Sequence, residues 1–295
     1  MTADNFLAVQ FQGHRPHLKA VAHRMLGSLT DAEDAVQEAW LRLARTDADD
    51  IDNLAGWLTT VVSRVCLDLL RARKARPEVP MEDRLPDPVV SRETGTDPEQ
   101  QALLADSVGL ALLVVLESLT PAERLAFVLH DMFGLPFEEI AHIVDRTPVA
   151  AKKLASRARQ RVRSATPSPD PDLAGQRRVV DAFLTAARGG DFDTLLAILD
   201  PEVVLRADGG VLTDGMKILR GAAAVAGQAA TFQRMATASH TQPALINGIT
   251  GLVNTIDGRL ISVMSFTVTE GRLAAIDILS DPDRLTQIDL TGLQP

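Results

Sequence analysis

Aromatic residues are scarce, at 4%, and tyrosine is absent. That argues against base-stacking platforms as the main way of holding nucleic acid. The single cysteine, Cys66, excludes an internal disulfide and a cysteine-based metal site. It lies in an apolar helical run and reads as a packed small hydrophobe. No window of eighteen continuous apolar residues exists, so no membrane span is expected. The first twenty residues lack a charged segment followed by an apolar one, so no signal peptide is read and a cytoplasmic location is expected. His14, His17 and His23 fall close together without the spacing of a metal motif. No metal, no cofactor and no cofactor-binding loop are expected. Positive charge is in deficit overall, the formal net charge being -9.

Against that deficit, one short stretch stands out. "KKLASRARQRVR" (152–163) carries Lys152, Lys153, Arg157, Arg159, Arg161 and Arg163 and no acid. Local clustering of positive charge, not the total, decides whether a chain can bind DNA. With 295 residues there is room for two or three domains, each with its own core.

Residues 1–76 read as helical. In "LGSLTDAEDAVQEAWLRLAR" (26–45), Thr30 and Glu33 have the spacing of a capping box, and Val36, Ala39, Trp40 and Leu43 recur at helical spacing. "LAGWLTTVVSRVCLDLLRARKAR" (54–76) is a second helix with a basic end. Residues 77–101 hold five prolines and seven acids and read as a solvated linker, either a plain spacer or a segment that shields the basic-ended helices. Further on, three helix starts follow one another: Thr120-Pro121 with Glu123, Pro136, and Thr147-Pro148. The last two flank a turn at Asp145-Arg146, which is a helix-turn-helix pattern. On the final helix Ala151, Leu154, Ala155, Ala158 and Val162 form an apolar side, and Lys152, Ser156, Arg159 and Arg163 another, flanked by Lys153 and Arg157. Such a helix suits the major groove.

"TPSPDPD" (166–172) is a second linker. Beyond it two helices are broken at Gly189-Gly190. Four apolar runs between 240 and 280 are then separated by turns at Asp257-Gly258 and Glu270-Gly271. Helices followed by an antiparallel sheet read as an α+β domain.

"DAEDAVQEAWLRL", "WLTTVVSRVCLDLLRARK" and "LTPAERLAFVLHDMFGLPFEEIAHIV…SRAR" resemble, in order and spacing, domains 2 and 4 of an extracytoplasmic-function (ECF) bacterial sigma factor. The resemblance spans about 165 residues. It implies a transcription initiation factor that binds core RNA polymerase, at the beta-prime clamp and the beta flap, and directs it to −35 and −10 promoter elements. Carried over by position, Asp31, Asp34, Gln37, Glu38 and Leu41 would grip the polymerase. Arg64, Asp68, Arg71 and Lys74 would face the −10 element, although Arg64 stands where many members have Asn. Thr147, Lys152, Lys153, Ser156, Arg157 and Arg159 would read the −35 element, in wording that departs from the family's commoner "TVKSRLxRAR".

The departure points to the sigma-J type subgroup, whose members carry a SnoaL-like domain behind domain 4. Three short words match its pattern. "RLPDP" (Arg84, Leu85, Pro86, Asp87, Pro88) stands for "WLPEP", "ADGGV" (with Asp208, Gly209, Gly210) for "DGGG", and "SDPDRL" (with Asp281, Pro282, Asp283, Arg284, Leu285) for "NPDKL". The implied architecture is two all-α sigma domains plus a C-terminal α+β cone of the SnoaL-like, nuclear-transport-factor-like fold. Its expected boundaries are domain 2 over 1–76, a linker over 77–107, domain 4 over 108–165, a linker over 166–176 and the regulatory domain over 177–295.

Some SnoaL-like relatives are enzymes with an Asp or His acid/base. Asp208, His240 and Asp277 are the candidates here, without a paired base. A non-enzymatic role is expected: the extra domain holds or biases domains 2 and 4, and no separate anti-sigma factor is needed. The tail after Leu279, rich in Pro and Asp, is expected to be a contact element and not core. The alternative is a SnoaL-like enzyme or ligand sensor tethered to a DNA-binding module.

Overall fold

The computed structural model describes residues 3–46, 51–75, 84–92, 109–165, 169–209, 215–228, 231, 233–234 and 239–293. By contact the chain forms two compact units, residues 1–80 with 115–164, and residues 81–114 with 165–295.

The first unit is helical. α1 (Ala3–Leu26) ends at Gly27, whose φ of 72° lets its N–H reach back to the His23 carbonyl. α2 (Leu29–Leu43) is capped by Ser28, whose hydroxyl accepts the Asp31 N–H at 3.2 Å. The expected cap at Thr30 is therefore corrected: Ser28 has the extended backbone that a cap needs, and Thr30 is already in the first turn. Ala32, Ala35, Val36, Ala39 and Leu43 face inward from α2. α3 (Leu54–Ala75) starts where the Asn53 side chain accepts the Gly56 N–H, and it buries Leu58, Val62, Val65, Cys66 and Leu67.

α4 (Leu110–Glu117) begins among the residues of the second unit and ends among those of the first, ahead of α5 (Pro121–Phe127). α5 has the full capping box, with Thr120 and Glu123 each bonding the other's backbone N–H. It runs into a π-helical turn at Val128–Met132. α6 (Phe137–Val144) ends at Asp145 in the left-handed conformation (φ 56°, ψ 56°), and α7 (Pro148–Ala165) follows. α3 packs on α5 and α6, and α1 on the π turn, so the segments resembling domains 2 and 4 share one unit.

The second unit is a mixed seven-stranded sheet with its longer helices on one face. α8 (Leu173–Gly189) and α9 (Phe192–Ile198) lead into β2 (Leu199–Asp208). β3 (Met216–Arg220), α10 (Ala222–Ala226), β4 (His240–Ile246), β5 (Ile249–Ile256), β6 (Arg259–Thr269) and β7 (Arg272–Leu279) follow. Together with β1 (Val90–Ser91) the order is β1-β4-β5-β6-β7-β2-β3. Three hairpins, at Asn247-Gly248, Asp257-Gly258 and Glu270-Gly271, have both turn residues at positive φ. The sheet is not wholly antiparallel, since β2 runs parallel to β7.

The helix-covered face centres on Phe183, Leu205, Leu252, Phe266 and Ile276. On the opposite side Ala244, Ile246, Val253, Val263 and Leu279 pack with Leu285, Ile288 and Leu293. These last three belong to the tail, which carries the short helix α11 (Pro282–Leu285). The tail is thus partly core, because its apolar residues cover a sheet face that would otherwise be wet. The linker readings are corrected in the same way. Leu85, Pro86, Asp87 and Pro88 are buried, Val90 and Ser91 pair with Ile246 and Leu245, and α8 already begins within 166–176.

Candidate functional site

The basic helix α7 is built as an exposed ridge over a small-residue seam. Ala151, Ala155 and Ala158 are buried, while Lys152, Lys153, Ser156, Arg157 and Arg163 are exposed. Two members of the expected set are otherwise engaged. The Thr147 hydroxyl accepts the Ala150 N–H and so starts the helix, and Arg159 Nε donates to Asp131 Oδ1 at 2.7 Å. That bond favours the charged guanidinium and pushes the Arg159 pKa further above its already high ordinary value. Asp131 lies in the π turn, and Arg161 reaches Glu123 of α5 at 3.0 Å. The ridge is therefore fixed to its neighbours by two ion pairs that the sequence reading did not identify.

On α3 the residues assigned to the −10 element form one line. Arg64, Asp68, Arg71 and Lys74 are all exposed, and Arg71 lies 3.5 Å from Asp68. Arg64 Nη2 donates to the His142 carbonyl of α6 at 3.0 Å. Beneath this line Arg124 is 3% exposed and donates through Nε to the Arg24 carbonyl. Burial brings its guanidinium down to about 10, and Arg73 opposes its charge further, while Glu117 supports it. Its Nη2 and the Arg73 Nη1 are buried without a hydrogen-bond partner.

On α2, Asp34, Gln37 and Leu41 are exposed along one ridge, with Glu38 half-buried and bonded to Arg42 at 2.9 Å. Asp31 is turned to Arg73 at 2.6 Å, so its carboxylate is used inside the unit. Gln37 also lines a groove with Phe11, Arg15 and Trp40.

The second unit contains the most connected polar cluster. Arg284, on α11, donates Nη1 to Asp208 Oδ2 at 2.6 Å, Nε to Asp87 Oδ1 at 2.8 Å and Nη2 to the Leu85 carbonyl at 2.5 Å. The Leu85 N–H donates to the same Asp208 oxygen at 2.9 Å. Asp208 is 1% exposed. Asp281 caps α11 by accepting the Asp283 and Arg284 N–H groups, and lies 3.9 Å from Arg84. Pro282 opens α11, Leu285 is buried in the tail cluster, and Asp283 is exposed. Gly209 is buried, Pro86 and Pro88 flank Asp87, and Gly210 lies outside the described residues. Asn247 adds a clamp absent from the sequence reading: its side chain accepts the Val89 N–H at 3.0 Å and its own N–H donates to the Val89 carbonyl. The Asn-Gly dipeptide was the available signal.

The three acid/base candidates are not assembled. Asp208 is held by Arg284, and His240 is exposed at the start of β4, four strand positions from β2. Asp277 is 1% exposed and bonded to Arg206 at 2.5 Å. Burial pushes its carboxyl up against the pull of Arg206. Among the described residues no group of His, Cys, Asp and Glu could hold a metal, and no helix is long and apolar enough to cross a membrane.

Residues 10–76 match the family Sigma-70 region 2, and residues 109–162 match Sigma-70, region 4. The chain is 39% identical over 290 residues to ECF RNA polymerase sigma factor SigJ of Mycobacterium tuberculosis, covering 94% of this chain and 92% of the relative. It is 34% identical over 292 residues to the probable ECF RNA polymerase sigma factor SigI of the same species, covering 97% of each. The crystal structure of the M. tuberculosis extracytoplasmic function sigma factor SigJ superposes with a TM-score of 0.76 at 35% identity, over 96% of this chain and 100% of that one. With both sigma regions in a helical unit, and a SnoaL-like helix-and-sheet unit behind them, the chain belongs to the ECF RNA polymerase sigma factors.

Proposed function

We propose that the SnoaL-like unit regulates this initiation factor by gripping the chain between domains 2 and 4. The observation that carries the reading is the three-way hold of Arg284 on Leu85, Asp87 and Asp208. Residues 81–114 lie in sequence between the two halves of the helical unit, yet belong to the SnoaL-like unit. A compact body of about 130 residues has a diameter of roughly 35 Å, whereas −35 and −10 elements lie about 85 Å apart along B-form DNA. Reading both elements at once therefore requires domains 2 and 4 to part, and the length of linker left ungripped sets how far they can.

In this reading Asp34, Gln37, Glu38 and Leu41 meet the beta-prime clamp, and domain 4 meets the beta flap. Arg64, Asp68, Arg71 and Lys74 face the −10 element, and Lys152, Lys153, Ser156 and Arg157 the −35 element. The factor acts in the cytoplasm without catalysis and without a separate anti-sigma factor. The domain boundaries at 76, 107 and 165 belong to the same proposal, with the segment 84–92 functioning as part of the regulatory domain, whose main body begins with α8 at Leu173.

The test is run-off transcription with core polymerase, using the full chain, the Arg284→Ala variant and a chain ending at Arg163. Release of the linker should raise activity in Arg284→Ala, and loss of the whole unit should lower it by removing the support that spaces the two readers. A tail deletion after Leu279 is a poorer probe, because it also strips Leu285, Ile288 and Leu293 from the sheet. Equal activity from all three proteins would refute regulation by this unit. For the DNA face, losing one base-edge contact at Lys152 or Arg157 should cost about 1–3 kcal/mol of discrimination.

A further inference from the structure

Val149 is 66% exposed, more than any other large apolar side chain among the described residues. It lies in the first turn of α7, immediately after Pro148. With about 100° between successive residues, Lys152, Lys153, Ser156 and Gln160 all lie within about 60° of it around the helix axis. The buried Ala151, Ala155 and Ala158 lie about 120–180° away, on the other side. Val149 is thus on the midline of the polar ridge and contributes nothing to the packing seam. Its χ1 is restricted by β-branching, so the two methyl groups are held in place by the helix. Leaving them in water gains nothing for folding, and the ridge has no other large apolar side chain.

We propose that Val149 is a specificity-determining residue that packs on the C5-methyl group of a thymine in the −35 element. The inference rests on the reading of α7 as the −35 helix. In the major groove the thymine methyl is the one apolar feature a base pair presents, and an aliphatic side chain is its matching contact. Residues in the first turns of a recognition helix reach base edges, and Val149 precedes every basic residue of α7. Lys152, Lys153 and Arg157 supply charge for phosphates and guanine, and neither they nor Ser156 sense a methyl group as an aliphatic side chain does. Val149 fills that gap.

The experiment uses the full chain with core polymerase on a promoter library randomised over the −35 element. The proteins are the wild type, Val149→Ala, Val149→Ser and Lys152→Ala/Arg157→Ala. Val149 is outside the core, so its variants should remain folded, which circular dichroism checks. Each thymine of the best recovered promoter is then replaced by deoxyuridine, which removes only the C5-methyl. The wild type should lose about fourfold in transcription at one thymine, the ratio expected for one buried methyl group. Val149→Ala should lose little or nothing at that thymine while keeping its sensitivity elsewhere, and the library should lose its thymine preference there. If deoxyuridine is neutral for the wild type at every position, or if Val149→Ala retains the full loss, the proposal is overturned. Lys152→Ala/Arg157→Ala separates the two levels. If it alters base selection while Val149 variants do not, the methyl contact alone fails. If neither does, the helix is not the reader and both fall.

Discussion

Replacing Arg284 by alanine tests how tightly the linker segment is held. The guanidinium is 13% exposed and faces two carboxylates and one carbonyl, so its removal leaves the buried Asp208 charge with fewer partners. Breaking a buried ion pair from one side costs about 3–5 kcal/mol. Asp208 keeps the Leu85 N–H bond, which places the expected loss near the lower end, about 3 kcal/mol. That is a population change of roughly 100-fold in favour of the released segment. Amide hydrogen exchange reads it directly. The Leu85 N–H, bonded to Asp208, and the Val89 N–H, bonded to Asn247, should lose about 100-fold in protection. Amides of the β5–β6 ladder serve as the control for an intact sheet.

Arg284→Lys should fall between the two, since an ammonium can face Asp208 but cannot fork onto Asp87 and the Leu85 carbonyl. A cycle of Arg284→Ala with Asp87→Asn should show a coupling of about 1.5–3 kcal/mol. Unchanged protection at Leu85 and Val89 in the folded Arg284→Ala protein would refute the reasoning. So would loss of all sheet amides together, because the hold would then be part of global stability and not a separable grip.

Gly251 has no room for a side chain: a Cβ there would lie 2.5 Å from the Met264 carbonyl oxygen, and Gly251→Ala should destabilise the SnoaL-like unit by about 3 kcal/mol, roughly 10 °C in melting temperature by calorimetry. Cys66 is fully buried and its thiol is pushed up to about 12, so a thiol reagent should label it only at the unfolding rate, and peroxide should leave transcription unchanged; labelling at the rate of an exposed thiol would contradict this. Burial raises the Asp277 carboxyl above its unfolded value, so the native state binds that proton more tightly, and the stability it contributes is lost as pH rises from the ordinary carboxylate range through the raised value. Asp277→Asn should remove that slope, and its melting temperature relative to the wild type should rise with pH above about 4; a fall would mean that the Arg206 pairing dominates.

Local signals in the sequence were sufficient for much of the fold. The capping box at Thr120, the prolines at 136 and 148 and the turns at Asp257-Gly258 and Glu270-Gly271 each act within a few residues, and each element starts or ends where its chemistry dictates. What was not legible depends on residues far apart. The parallel pairing of β2 with β7 joins Arg206 to Asp277 across 71 positions. Asp87 meets Arg284 across 197 positions, so its segment read as solvated from its own composition. The tail read as non-core for the same reason, since the sheet face that Leu285 and Ile288 cover is supplied by other strands. The three short words of the site were visible as words, but nothing in one of them says which partner completes its hydrogen bonds.

An ionic hold is well suited to a segment that must be gripped in one register and still let go. β1 has only two residues, on the sheet edge, so its ladder alone specifies register weakly. A slip of one residue would turn Val90 to the other face of the sheet. Asn247 and Arg284 prevent this by matching particular backbone and carboxylate atoms of the segment, which an apolar contact of the same area could not do. A buried ion pair also contributes little net stability against a hydrophobic replacement, because the cost of desolvating both charges offsets their attraction. The grip is therefore specific without being deep. In the proposed mechanism core polymerase has only to compensate a few kcal/mol to free the linker, and the charged groups so released would be re-solvated. Replacing the Asp208–Arg284 pair by Leu and Met takes away the Arg284 bonds to Asp87 and the bonds of both Leu85 backbone groups, so an apolar pair should weaken the hold, and transcription should rise above the wild type toward Arg284→Ala. Activity at or below the wild type in that apolar variant would show that packing, and not the charge-assisted bonds, holds the segment.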